Sequence, residues 1–92
     1  MKLNLNFKIK DLEGNEIEEK DAHAGKILGN HLVSGSKGDA LKYYDWGRTL
    51  YKGEGIEVDR SDLDKIKQFV EENATIPILT KAQIIEVINK CE

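Results

Sequence analysis

Apolar residues recur along this chain with two different periods. Leu3, Leu5, Phe7 and Ile9 alternate with Asn4, Asn6, Lys8 and Lys10. Strict alternation predicts a half-buried strand with its apolar face inward. Gly14-Asn15 supplies turn formers, and Glu16 to Glu18, centred on Ile17, predicts a short return strand. Together they make an N-terminal β-hairpin. A lone hairpin is marginal in water, so helices or another chain must cover it.

From Asp21 onward the period becomes helical. Asp21 is the expected N-cap, and Ala24, Ile27, Leu28 and Leu32 follow at helical spacing. Gly25 and Gly29 lie on one side of that helix. Two small residues there predict close packing of a second helix; the alternative is a hinge or a docking groove. Ser34-Gly35-Ser36-Lys37-Gly38 ends the helix and reads as a mobile connection. Asp39 caps a second helix from Ala40 to Lys52. Ala40, Leu41, Tyr44, Gly47, Leu50 and Tyr51 share one face of it, and Trp46 sits off that stripe near Tyr43 and Leu50. Gly53-Glu54-Gly55 stops it.

Ile56-Glu57-Val58 is either a partner of the first strand or plain extended chain. Asp59 or Ser61 caps a third helix, with Leu63, Ile66, Phe69 and Val70 as its buried stripe. Thr75-Ile76-Pro77 breaks the chain, since the residue before proline avoids the helical region. Thr80-Lys81-Ala82-Gln83 then reads as the capping box of a fourth helix, with Leu79 and Ile84 at the hydrophobic-staple positions. Ile84, Ile85, Val87, Ile88 and Cys91 make this helix apolar on more than one side, so it is central or covered by another chain. The order predicts a single α+β domain over residues 1–92, a hairpin followed by about four short helices and mostly helical.

Composition narrows the function. Fourteen basic and seventeen acidic side chains leave a net charge of −3 on 92 residues, of which 39% are hydrophobic and 34% charged. No apolar run is long enough to span a membrane, and the alternating N-terminus lacks the continuous apolar stretch of a secretory leader. One cysteine suits a reducing compartment. A cytoplasmic protein is expected. Residues 23–53 carry five Lys/Arg against two Asp, between two acidic thirds. A nucleic-acid binder shows a denser basic face than this. The expected partner of the middle segment is therefore an acidic or mixed protein surface. Neither a membrane nor nucleic acid is expected.

No chemistry-bearing constellation emerges. His23 and His31 are twice as far apart as two zinc ligands on one helix, and Cys91 has no cysteine partner. The run Asp59 to Asp64 lacks the glycine and the final glutamate of a calcium loop, so its acids are read as helix caps. Cys91, next to the last residue given, has no fixed base beside it. The serines, at 34, 36 and 61, form no nucleophile elbow. Ser34 to Asp39 has the outline of an anion nest, but without phosphate-loop spacing and with Asp39 to repel a phosphate. No catalytic residue, metal ligand or cofactor is predicted, and the chain is not expected to be an enzyme.

Tyr43, Tyr44, Trp46 and Tyr51 concentrate four of the six aromatic residues in one helix, beside Lys42, Arg48 and Lys52. The connector from Lys52 to Asp59 is too long for a helix-turn-helix. Core packing or a protein interface remains, since Tyr and Trp dominate binding hot spots. The interface candidates are Trp46, Tyr43 and Arg48. Leu5 and Phe7, on a strand whose backbone edge invites another chain, form a second candidate site. Lys2, Lys8 and Lys10 would instead blunt that edge.

Three stretches together resemble small, mostly uncharacterised proteins of tailed phages and prophages: Leu3 to Gly14; Gly38 to Trp46 with Leu50-Tyr51 and Ile56 to Ser61; and Leu79 to Ile88 around Lys81-Ala82-Gln83. Some such proteins are encoded among virion structural genes, so the resemblance implies a role in tail or head assembly, as an assembly factor or minor component. It transfers no functional residue. A small inhibitor of a host protein, such as an anti-defence factor, is the alternative, and a DNA-binding regulator fits less well. Self-association is a further expectation for an assembly protein.

Overall fold

Alternation along the first segment survives as burial. Leu3, Leu5 and Ile9 are core residues and Phe7 is half-buried. The hydrogen bonds of this segment, by contrast, go to three different partners. In the computed structural model, which describes residues 1–36 and 38–91, β1 (Lys2–Leu3) pairs antiparallel with β2 (Ile56–Glu57), Leu3 opposite Ile56. Lys37, part of the predicted mobile connection and of the nest outline, and Glu92 lie outside the described residues.

Farther along, the carbonyls of Leu5 and Phe7 accept from the amides of Gly25 and Ala24, each at 2.9 Å. Those amides open α1 (Ala24–Ser34) and have no partner inside the helix. Only at Ile9 to Asp11 does the predicted hairpin appear: the Asp11 amide donates to the Asn15 carbonyl at 2.8 Å, and the Ile17 amide to the Ile9 carbonyl at 3.0 Å. A continuous strand from Leu3 to Ile9 is therefore corrected. The start of a helix needs backbone acceptors, and this segment supplies them.

The cap of α1 is His23, two residues beyond the expected Asp21. Its Nδ1 accepts from the Lys26 amide at 3.3 Å, and its Nε2–H donates to Asn6 Oδ1 at 2.9 Å. Asp39 caps α2 (Ala40–Tyr51) as expected, accepting from the Lys42 amide. Helix α2 ends in a Schellman turn: the Gly53 amide reaches the Leu50 carbonyl at 3.0 Å and the Glu54 amide reaches that of Thr49 at 3.2 Å. Gly53 has φ +81°, a conformation other residues resist. In α3 (Arg60–Glu72) the cap is Asp59, not Ser61, in a reciprocal capping box with Asp62.

Helix α4 (Ile78–Lys90) corrects another expectation. It begins after Pro77, whose φ of −60° and ψ of 151° make it the last extended residue, and Thr80 is buried in the first turn. Gln83 is consequently no capping residue. It clamps the hairpin: Gln83 Oε1 accepts from the Lys10 amide at 2.9 Å and Gln83 Nε2 donates to the Lys10 carbonyl at 2.7 Å. Ile84 and Ile88 complete the core with Leu28, Leu50, Ile66 and Val70.

Helices α1 and α2 form the largest contact of the fold, and glycine makes it close. A Cβ on Gly29 would lie 2.6 Å from the Gly47 carbonyl oxygen, and one on Gly47 would lie 2.8 Å from that of Gly29. A Cβ on Gly25 would strike the Leu50 carbonyl oxygen. The expected close packing at Gly25 and Gly29 is what the structure contains.

Two predictions follow from these contacts. Helix propensity alone would make Gly29→Ala stabilising by about 1 kcal/mol. Overpacking between the backbones costs about 1–3 kcal/mol, so thermal unfolding should show a net loss; a raised melting temperature would refute the contact. His23 behaves as a pH-dependent cap. Burial first, then the charges of Lys26 and Lys8, holds its pKa below the ordinary value. Below pH about 6.5 the unfolded chain binds a proton that the folded chain refuses, so stability falls with pH until the folded imidazole also protonates. His23→Asn keeps a capping side chain but has no such titration. Urea unfolding at pH 7.5 and 5 should show a smaller acid loss for the variant; equal losses would show that His23 is not responsible.

Candidate functional site

The aromatic residues of α2 divide between two sides of the helix. Tyr43 and Trp46 face α3: their rings stack at 5.6 Å, and Tyr43 meets Phe69 edge-on at 6.2 Å. Trp46 is only 4% exposed. Lys42 completes this side. Its Nζ lies 5.2 Å from the Trp46 ring centre and 2.6 Å from Asp62 Oδ1. The Lys42 hydrogen bond holds the Asp62 carboxyl below the usual carboxylate range and raises the Lys42 ammonium in return. Asp59 and Asp62 thus serve as a capping pair and an ion-pair partner.

Trp46 as a surface anchor is therefore corrected. So is the face of α2 assigned to the core: Trp46, Gly47 and Leu50 are buried, while Leu41 is 83%, Tyr44 56% and Tyr51 44% exposed. Gly47 and Leu50, both on the expected face, are buried as expected; the buried side extends from them toward Trp46 and Tyr43 rather than toward Leu41, Tyr44 and Tyr51. Leu5 as an exposed strand-edge site is also corrected. It is buried, and its carbonyl accepts from both Phe7 and Gly25, so it offers no free strand edge. Phe7, half-buried, lines a shallow recess with Lys10, Leu12, Gln83 and Val87. Tyr43 and Trp46 are brought together, Trp46 buried and Tyr43 partly buried at the edge of an open recess with Phe69, Lys65 and Gln68, whereas Arg48 stands apart from them on the opposite side.

That opposite side is the strongest candidate for a site. Between α1 and α2 runs an open, mainly apolar groove of about 300 Å³, with Gly29 and Gly47 on its floor and Val33, Tyr44 and Tyr51 on its walls. Val33 is itself half-exposed, and Leu41 continues the exposed row one helical turn before Tyr44. The rim is cationic. The Arg48 guanidinium lies 5.2 Å from the Tyr44 ring centre, Lys26 Nζ lies 5.6 Å from that of Tyr51, and Lys52 lines the end. Asp45, bonded to Arg48 at 3.3 Å, is the acid that α2 contributes, and α1 contributes none.

Sequence reasoning found Arg48 but missed Val33, Tyr44, Tyr51 and Lys26. The spacing of Leu41, Tyr44, Arg48 and Tyr51 was a readable signal, since these positions form a second helical stripe. Nothing local said which stripe would be buried.

The groove is apolar with a cationic rim, and Cys91 and His31 lie outside its lining. Cys91 donates its thiol hydrogen to the Lys2 carbonyl at 3.1 Å, and His31 is bonded to the Ile27 carbonyl and Thr75 hydroxyl. Among the described residues no three His, Cys, Asp or Glu side chains are grouped to hold a metal, and no helix is long and apolar enough to cross a membrane. No protein-family model, curated protein or solved structure matches the chain.

Truncating Trp46 tests the division of the aromatics. Trp46→Ala should cost about 3–5 kcal/mol, seen as a steep drop in denaturant midpoint. An unchanged midpoint would return Trp46 to the surface.

Proposed function

We propose that this chain is a non-enzymatic protein that acts by protein–protein contact, and that its partner docks on the outer face of α1 and α2. One observation carries the reading: Leu41, Tyr44 and Tyr51 of α2 lie exposed along one side of that helix, and Val33 of α1 lies exposed across from them, at an apolar groove with a basic rim. Exposed aromatic and aliphatic side chains grouped this way exceed what isolated surface residues need as explanation. Tyrosine stacked with arginine is a frequent anchor pair in interfaces. The resemblance to tailed-phage proteins supports a virion partner, with the chain serving as an assembly factor or minor component, tail assembly first, in the cytoplasm of the bacterial host.

The experiment compares tagged wild type with Tyr44→Glu/Tyr51→Glu in a pull-down from phage-infected lysate. Both positions are exposed, so circular dichroism should show an unchanged fold. A tail or head protein is expected with the wild type and should be lost, by about tenfold or more, with the double variant. Retention of a single host protein by the same face would replace assembly with inhibition of that protein. Capture unaffected by the double substitution would remove the proposed face.

A further inference from the structure

The groove requires an occupant with an apolar side chain and neighbouring negative charge. Such a segment exists elsewhere in the same chain. Leu12 is 95% exposed, the highest of the large apolar side chains left in solvent. It stands in a turn built by hydrogen bonds. Asp11 Oδ1 accepts from the amides of Glu13 at 2.9 Å and Asn15 at 3.0 Å, and the Asp11 carbonyl accepts from the Gly14 amide at 3.0 Å. The turn is pinned to the domain through Lys10 and Gln83. Leu12 is thus held out from the surface rather than left on a loose tail.

Charge decides among the exposed apolar residues outside the groove face. Met1 is followed by Lys2, and Ile78 lies between Pro77 and Leu79. Leu12 has a carboxylate on each side, Asp11 and Glu13, and Glu16, Glu18, Glu19 and Asp21 follow. Opposite charges on two patches steer encounter and fix register. Leu12 and the groove share no lining residue, so one molecule can present both at once.

We propose that the groove between α1 and α2 receives the Asp11-Leu12-Glu13 turn of a second copy of this chain. Leu12 enters between Tyr44 and Tyr51 over the glycine floor, and the flanking carboxylates meet Arg48, Lys52 and Lys26. This rests on the reading of that face as a docking surface and names its occupant. The contact joins two different patches. It closes into a dimer if each copy gives a turn and receives one, and otherwise extends head to tail. A single turn in a groove is a small interface, and self-association is correspondingly weak and salt-sensitive.

Sedimentation of the full chain from about 10 µM to 1 mM tests this. Leu12→Ser carries a disabled turn and an intact groove; Tyr44→Glu carries the reverse. Both substitutions are on exposed side chains, and circular dichroism checks the fold. Wild type should associate with rising concentration, and each variant should weaken this by about tenfold or more. An equimolar mixture of the two should give a 1:1 heterodimer, which neither variant forms alone to that extent. A wild type that is monomeric throughout, an association indifferent to Leu12→Ser, or a mixture without heterodimer overturns the inference. If the wild type is monomeric while Tyr44→Glu/Tyr51→Glu still loses its partner in the pull-down, the occupant alone is wrong. If Tyr44→Glu changes neither measurement, the docking face fails with it.

Discussion

Backbone contact between Gly29 and Gly47 is the constraint around which this domain is arranged. At that distance there is no room for a side chain on either glycine, so each helix is fixed in rotation as well as position. Fixing Gly47 toward α1 turns Trp46 and Leu50 into the core beside Leu28 and leaves Tyr44 and Tyr51 outside. The buried core and the exposed groove are two consequences of one contact. Van der Waals attraction between closely fitted surfaces offsets what each glycine costs in helix stability.

The polar half of the fold follows from what helix ends require. Four amides at the start of a helix lack internal acceptors. In α1 the carbonyls of Leu5 and Phe7 and the ring of His23 meet three of these demands. The first segment cannot also form a long ladder, and its regular pairing shrinks to Lys2–Leu3 with Ile56–Glu57. Gln83 meets a similar demand at the hairpin, where the Lys10 amide and carbonyl lack strand partners. Side-chain and helix-end hydrogen bonds replace sheet here, which accounts for an α+β domain with so little regular strand.

The surface shows a division of labour. The side of α2 facing α3 is packed through Tyr43, Trp46, Phe69 and the Lys42–Asp62 pair, with an open recess beside Tyr43 and Phe69. The other side keeps tyrosines, a valine and cations in solvent, and the acidic turn around Leu12 projects elsewhere. Such an arrangement offers adhesion and charge complementarity. It is the physical basis of the proposed docking of a protein partner on this face.

Much of this was legible in local pattern. The four helices, the Asp39 and Asp59 caps, the glycine stop after α2 and the small-residue row Gly25 and Gly29 each depend on residues within a turn or two, and periodicity and capping chemistry are local properties. The alternation of Leu3, Leu5, Phe7 and Ile9 correctly marked an inward face. What it could not tell was where the hydrogen bonds of that segment would go, because their partners lie far along the chain at Gly25 and Ile56. The start of α4 differs from its local pattern for a related reason: Thr80 and Gln83 fit a capping box, yet Gln83 is bonded to Lys10, distant in sequence. The rotation of α2 decided the candidate site. Its two stripes, Leu41-Tyr44-Arg48-Tyr51 and Tyr43-Trp46-Leu50, are both amphipathic enough to be buried. Only tertiary packing, with Gly47 against Gly29 and Trp46 in the core, chose which one met the core and which was left in solvent.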